Sequence, residues 1–392
     1  MKTKTKTKQK ILKVFAMCIL FLGNSQLLLA QNSNPTQDVC EGSIAELYFL
    51  QGTLASSNFQ WTLLSGGLIQ TGQGSASITI DWDLVSAVGA GPHTLSVTET
   101  DAVGCIGLAE TVEITLISVP TADAGVLTAD ICETGDYQLV ATAGTGIISW
   151  THNGDGNFDF PASENPIYTP GPNDVLGTNT VVTLTMTVSN SPCADATDAI
   201  DLTIYDVPTA DAGVLTADIC ETGDYQLVAT AGTGIISWTH NGDGSFDFPA
   251  SENPIYTPGP NDVLGTNTVV TLTMTVSNGP CTDATDDIIL TIYDDPTANA
   301  GADASICEGF NHIISGAAAT NDVSVLWTTS GTGTFTNGNT LTPEYIPSPA
   351  DISAGSVTLT LTVTGNAPCT PAVSTMILTI DPTPATGPIW HN

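Results

Sequence analysis

Residues 120–207 and 208–295 are two 88-residue copies of one sequence that differ at six positions: 157/245, 191/279, 194/282, 199/287, 201/289 and 207/295. A repeat of this fidelity predicts separate modules rather than one large body. A more distant copy runs from Pro296 to about Ile380, and a divergent one covers about 36–119. Every copy keeps the order Cys, Trp, Cys, with Trp61, Trp150, Trp238 and Trp327 falling 18–21 residues after the first cysteine. These four tryptophans are the expected core aromatics.

The strand pattern inside a copy is regular. In Val181–Val188, the residues Val182, Leu184, Met186 and Val188 alternate with Thr183, Thr185 and Thr187. The fourth copy alternates Val357, Leu359, Leu361 and Val363 with Thr358, Thr360 and Thr362. A period of two over eight residues predicts a half-buried antiparallel strand. Ile200, Leu202 and Ile204 mark the last strand, Gly146–His152 a central strand carrying Trp150, and Tyr137–Ala141 an early one. Short strands between Gly, Pro, Asn and Asp turns predict a β-sandwich. The chain therefore reads as all-β: a tandem array of four antiparallel β-sandwich domains after a signal peptide. The expected boundaries are 31–119, 120–207, 208–295 and 296–381, set by the punctuation Pro120–Gly125, which returns at Pro208–Gly213 and Pro296–Gly301. Residues 382–392 read as a tail or the start of a linker.

Charge narrows the function classes. All six Lys and Arg residues are lysines before position 14, and all 40 acidic residues lie after position 30. Such a chain cannot neutralise phosphates, which excludes nucleic-acid binding, and it has no basic patch for an anionic membrane. It has no lysine for a Schiff base or P-loop. No Gly-x-Ser-x-Gly or His-Glu-x-x-His motif is present, so it is not read as an enzyme.

Residues 1–30 read as a secretory leader: a lysine-rich start, an apolar stretch Ile11–Leu22 too short to span a bilayer, and a cut after Ala30. No membrane insertion is expected once the leader is removed. Eight cysteines follow, and an even count in an exported chain argues for disulfides. Their separations of 65, 61, 61 and 62 within successive pairs suggest one bridge inside each copy: Cys40–Cys105, Cys132–Cys193, Cys220–Cys281 and Cys307–Cys369. Cys193 lies beyond its strand, after Ser189-Asn190-Ser191-Pro192, so its bridge is expected at the edge or end of a sandwich. No Cys-x-x-Cys pair suggests zinc.

One loop could hold a cation. Asn153, Asp155, Asn157 and Asp159, followed by Glu164, place side-chain oxygens in alternation, and Asn241, Asp243, Ser245, Asp247 and Glu252 repeat them. That pattern echoes calcium loops, although Phe158 stands where an EF-hand turn requires Gly. The competing reading is a hairpin turn, because Asn-Gly and Asp-Gly favour tight turns. The fourth copy, Ser330–Phe335, carries no acid there. Asp123 and Asp211 are further calcium candidates near the linkers. Calcium is the one cofactor considered, and none is required.

The first copy, with Cys40-Glu41-Gly42-Ser43, Phe59-Gln60-Trp61, Ile78-Thr79-Ile80-Asp81-Trp82 and Gly104-Cys105, resembles PKD-like domains of Bacteroidota surface proteins. The others, with Pro296–Gly301, Ile306-Cys307-Glu308, Leu326–Phe335 and Gly355–Thr362, resemble Ig/PKD-like repeats of large adhesins from the same group. The resemblance covers nearly all of 36–380. It implies β-sandwich modules outside the cell, often exported by the type IX pathway and linked to gliding or attachment. The expected role is a non-catalytic surface repeat protein acting as adhesin stalk or spacer. Two alternatives are a glycan-binding array, with Tyr168 and Tyr256 as sugar platforms, and a subunit of a homopolymeric fibre. Surface polysaccharide, other cells or the chain itself are the expected partners.

Overall fold

The computed structural model describes residues 36–385, 387 and 389, apart from 54, 55, 265 and 266; the expected leader, residues 31–35 and five of the last seven residues lie outside them. The described residues are strands joined by turns, with two short helices, Val85–Val88 and Pro349–Ala354. They divide after Ile204 into two compact units. Four separate hydrophobic cores form, two in each unit, centred on Trp61, Trp150, Trp238 and Trp327. We use module 1 to module 4 for the four copies in chain order.

Module 2 shows the plan. A four-stranded sheet runs Ile147–His152, Thr180–Ser189, Ala196–Tyr205, Thr128–Cys132, and a three-stranded sheet runs Tyr137–Gln138, Ile167–Thr169, Asn157–Phe158. A two-stranded pair, Ala122–Asp123 with Thr142–Ala143, begins the module. Val182, Leu184, Met186 and Val188 face the core with at most 1% exposure, as the alternation requires, and Ile200, Leu202 and Ile204 join them from the neighbouring strand. Burying a side chain of this size contributes about 1.5–3 kcal/mol. Modules 3 and 4 repeat these strand orders. Module 1 builds its four-stranded sheet from Thr36–Cys40, Glu110–Ile117, His93–Thr100 and Asn58–Leu63.

Three expectations need correction. The strand bearing Trp150 is not central: Ile147–His152 pairs only with Thr180–Ser189 and stands at the sheet edge. The expected strand Tyr137–Ala141 ends at Gln138. Beyond it, Leu139 and Ala141 are buried without a continuous ladder, because Ala141 N donates to the Asn165 side chain (2.7 Å). The sheets are also not wholly antiparallel. Thr36–Cys40 runs parallel to Glu110–Ile117, placing Cys40 beside Ile117, and Thr216–Cys220 runs parallel to the last strand of module 3, placing Cys220 beside Tyr293.

That parallel edge overturns the disulfide assignment. Cys40 sits where the last strand of module 1 ends, whereas Cys105 sits in the turn before that strand begins. The strand Glu110–Ile117 spans 8 residues. At about 3.3 Å per residue this separates the two cysteines by roughly 25 Å or more, far beyond the ~7 Å Cα limit of a disulfide. Cys40 bonds instead to Cys193 (Cα–Cα 4.9 Å), and Cys220 bonds to Cys369 (Cα–Cα 5.3 Å). These two bridges exclude all four within-copy pairs, Cys40–Cys105, Cys132–Cys193, Cys220–Cys281 and Cys307–Cys369. Each joins the first cysteine of one module to the second cysteine of the next.

Candidate functional site

The acidic loop was the leading metal candidate, and its oxygens are directed at the protein's own backbone. In module 2, Asn153 Oδ1 accepts from Thr183 N (2.9 Å), and Asp159 Oδ1 accepts from Phe160 N (2.7 Å) and Ile167 N (2.8 Å). Asp155 accepts from the backbone and side-chain amides of Asn173 (3.0 and 2.6 Å). Glu164 Oε1 accepts from Ala143 N (2.8 Å), on a different strand pair. Asn157 lies on the strand Asn157–Phe158, opposite Thr169. Module 3 repeats the arrangement: Asn241 accepts from Thr271 N, Asp243 from Asn261, Asp247 from Ile255 N and Glu252 from Ala231 N, while Ser245 pairs with Thr257. Among the described residues, the one cluster of three acidic, His or Cys ligand atoms within 4.8 Å is Cys220, Asp295 and Cys369, two of which form a disulfide. Asp123 and Asp211 each cap a tight turn by accepting from Gly125 N and Gly213 N (both 2.9 Å).

Phe158 explains why this loop departs from the calcium pattern. Its ring lies 5.2 Å from Tyr168, 5.5 Å from His152 and 5.9 Å from Trp150, so the loop is folded over an aromatic cluster. Tyr168 and Tyr256 are fully buried, which removes them as sugar platforms.

The tyrosines lead to a feature the sequence reading missed. Tyr168 donates to Asp174 Oδ2 (2.6 Å), Tyr256 to Asp262 Oδ2 (2.6 Å) and Tyr345 to Asp351 Oδ2 (2.8 Å). Each aspartate is at most 3% exposed. Asp174 also accepts from Asp155 N and Gly171 N (both 2.9 Å), so one carboxylate fastens two loops. In module 4, Asp351 accepts from Thr332 N (2.9 Å), Gly333 N (2.8 Å) and Ser348 N (2.8 Å). Burial pushes the Asp351 carboxyl upward, but hydrogen bonds from Ser348, Thr332 and Tyr345 outweigh it and hold the group at about 2. Asp174 and Asp262 are lowered by the same balance, and burial raises the phenols of Tyr168 and Tyr256. The signal was available in sequence as an aspartate six residues after a tyrosine, repeated in three modules.

The second built feature is the joint between modules. In the first unit, Cys40 bridges to Cys193, and the neighbouring Glu41 accepts from the linker amide of Val119 (3.1 Å) and from Val85 N (2.6 Å). Asn190, three residues before Cys193, donates its Nδ2 to Ser118 O (2.7 Å). In the second unit, Cys220 bridges to Cys369, Glu221 accepts from Asp295 N (3.2 Å), and Asn321 Nδ2 donates to Asp295 O (2.9 Å). Each joint is thus one covalent bond flanked by hydrogen bonds to the linker, and no lysine or arginine takes part.

No family model matches the sequence, and no curated protein matches it. Among solved structures, it is similar to titin domains I67–I69 in a Glu-to-Ala variant, at 13% identity and TM-score 0.43, over 68% of this chain and 99% of that one. It is also similar to Drosophila N-cadherin EC1–4, at 13% identity and TM-score 0.28, over 89% and 98%. Sidekick-1 immunoglobulin domains 1–4 match at 12% identity and TM-score 0.30, over 90% and 98%. None of these likenesses bears on what this chain does.

Proposed function

We propose that this chain is a non-catalytic spacer outside the cell, an adhesin stalk whose joints are locked by disulfides. The observation that carries this reading is the bridging of consecutive modules, Cys40 to Cys193 and Cys220 to Cys369. A disulfide inside a module stabilises that module; a disulfide between neighbours restricts the hinge between them. Disulfides persist in oxidising compartments, which agrees with the expected leader and with a place outside the cell. No described helix is long and apolar enough to cross a membrane. Near-identical modules add reach rather than new chemistry.

Small-angle scattering on the oxidised chain and on the Cys40→Ser/Cys220→Ser double variant tests this. The oxidised chain is expected to be extended, with a narrow distribution of lengths. The variant is expected to keep four folded modules but to sample shorter end-to-end distances. A compact particle in both forms would reject the spacer.

A further inference from the structure

The linker between modules 3 and 4 differs from the other two at the residue before its proline. Val119 precedes Pro120 and Val207 precedes Pro208, but Asp295 precedes Pro296, and 207/295 is among the positions at which the two near-identical copies differ. An aspartate before a proline makes a peptide bond prone to acid cleavage. The side-chain carboxyl can close a five-membered ring on its own main-chain carbonyl carbon, and the tertiary amide nitrogen of proline is a good leaving group.

The surroundings hold each part of that bond. The strand Thr297–Asn299 pairs with Ala318–Thr320, with Thr297 opposite Thr320. One residue further out, this register sets Asn321 across from Pro296, and Asn321 Nδ2 donates to Asp295 O at 2.9 Å. That distance is the one an oxyanion donor requires. Thr222 Oγ1 donates to the carboxylate at Oδ2 (2.9 Å), and Asp295 N donates to Glu221 Oε1 (3.2 Å). Pro296 is buried, and a Cβ on Gly365 would fall 3.1 Å from its Cδ. Glu221, Tyr293, Asp294 and Asp322 are the ionisable residues of the segments around the bond, and none is a cation. The disulfide also spans the bond, because Cys220 precedes it and Cys369 follows it. Both sulfurs and an Asp295 carboxylate oxygen lie within 4.8 Å of one another.

We propose that Asp295–Pro296 is an acid-triggered self-cleaving bond, with the Asp295 carboxyl as nucleophile and the Asn321 amide as the donor that stabilises the main-chain oxygen. The inference goes beyond the spacer reading and does not rest on it. In the reacting form Asp295 carries its proton. One carboxyl oxygen bonds to the main-chain carbonyl carbon of Asp295, and negative charge gathers on the oxygen that Asn321 holds. The carboxyl proton passes to the Pro296 nitrogen, and the C–N bond breaks with its electron pair left on nitrogen. The products are a cyclic anhydride at Asp295 and a free amine at Pro296. One water then opens the anhydride to two carboxyl groups, and water is the only co-reactant. The Cys220–Cys369 disulfide still joins the fragments, so acid nicks the linker and a reductant is needed as well to release module 4.

The test incubates the oxidised full chain at about pH 4, close to the ordinary aspartate value. Module 4 keeps its clasp there, since Asp351 titrates at about 2. Fragments are separated with and without reductant, and their new termini are identified by mass spectrometry. The chain's other aspartyl–prolyl bond, Asp381–Pro382, supplies the reference rate: its carbonyl accepts from Glu308 N (2.9 Å), but both its residues are exposed. Asp295–Pro296 is expected to break faster than the reference by about tenfold or more, and the difference should vanish in urea. Asn321→Gly, which suits the φ of +56° at that position, should remove it in the folded chain too. Circular dichroism checks that this variant is folded. Asp295→Val, the residue of the other two linkers, should leave the bond intact. Equal rates at the two bonds of the folded chain, faster cleavage of Asp295–Pro296 on unfolding, or an unchanged rate in folded Asn321→Gly would overturn the proposal. Fragments that part without reductant would overturn the latch.

Discussion

Asp351 receives three backbone amides and one phenol while almost fully buried. Replacing it with Ala leaves those donors without a partner, and the expected loss is about 3 kcal/mol, read as a lowered melting transition by calorimetry. Tyr345→Phe removes only the phenol and should cost about 1 kcal/mol. The pH dependence has a definite sign. The folded carboxyl titrates at about 2, below its ordinary value of 3.8. Its contribution is therefore complete above pH 3.8 and is lost as pH falls through about 2. Unfolding free energies between pH 5 and 2 should show a loss on the order of 2 kcal/mol that Asp351→Asn lacks. At this scale the sequence was half legible. The acids of the loop stood out, but the reading turned them toward a cation. A carboxylate that accepts from backbone amides leaves no mark in composition, because its partners are present at every residue.

At the scale of elements, alternation located the buried faces of Thr180–Ser189 and Ser356–Thr364 correctly. It could not give the direction of pairing. A strand shows the same period of two whether its neighbour runs parallel or antiparallel, so the parallel edge strand ending in Cys40 was invisible, and the disulfide assignment failed with it. Packing at the loop clasp was equally hidden. Gly333 lies under Tyr345, and a Cβ there would fall 2.6 Å from the ring's Cζ and closer still to its hydroxyl. Gly156 and Gly244 hold the same place under Tyr168 and Tyr256. Gly333→Ala is expected to cost about 2 kcal/mol or more in urea unfolding, since ring and backbone must both give way. Gly177→Ala, which meets no atom within 4 Å, should cost less despite its φ of +116°.

For the whole molecule, the bridges span 153 and 149 residues. In the chain-entropy model, closing a loop of that length contributes about 5 kcal/mol, against about 4 for the within-copy loop of about 60 residues expected from sequence. Reduction should accordingly lower the unfolding midpoint of the chain as well as loosen its joints, and calorimetry with and without reductant checks this. The repeat, the fold class and the acidic surface were all readable, because each is a property of many residues at once. The joint was not, because it depends on a single register relation between a strand and the end of its own sheet.

A bridge across a joint also decides what happens when the two ends of a chain are pulled apart. Tension entering at Cys40 passes directly through sulfur to Cys193, and tension reaching Cys220 passes to Cys369, so the residues between each pair are never loaded. About 150 residues per bridge are withheld from extension, a contour of roughly 500 Å at full stretch. A single-molecule pull on the oxidised chain should therefore reach a shorter total extension than on the reduced one, by about that length for each bridge. Where such a chain tethers a cell against flow, its length under load would be set by the redox state of the surroundings.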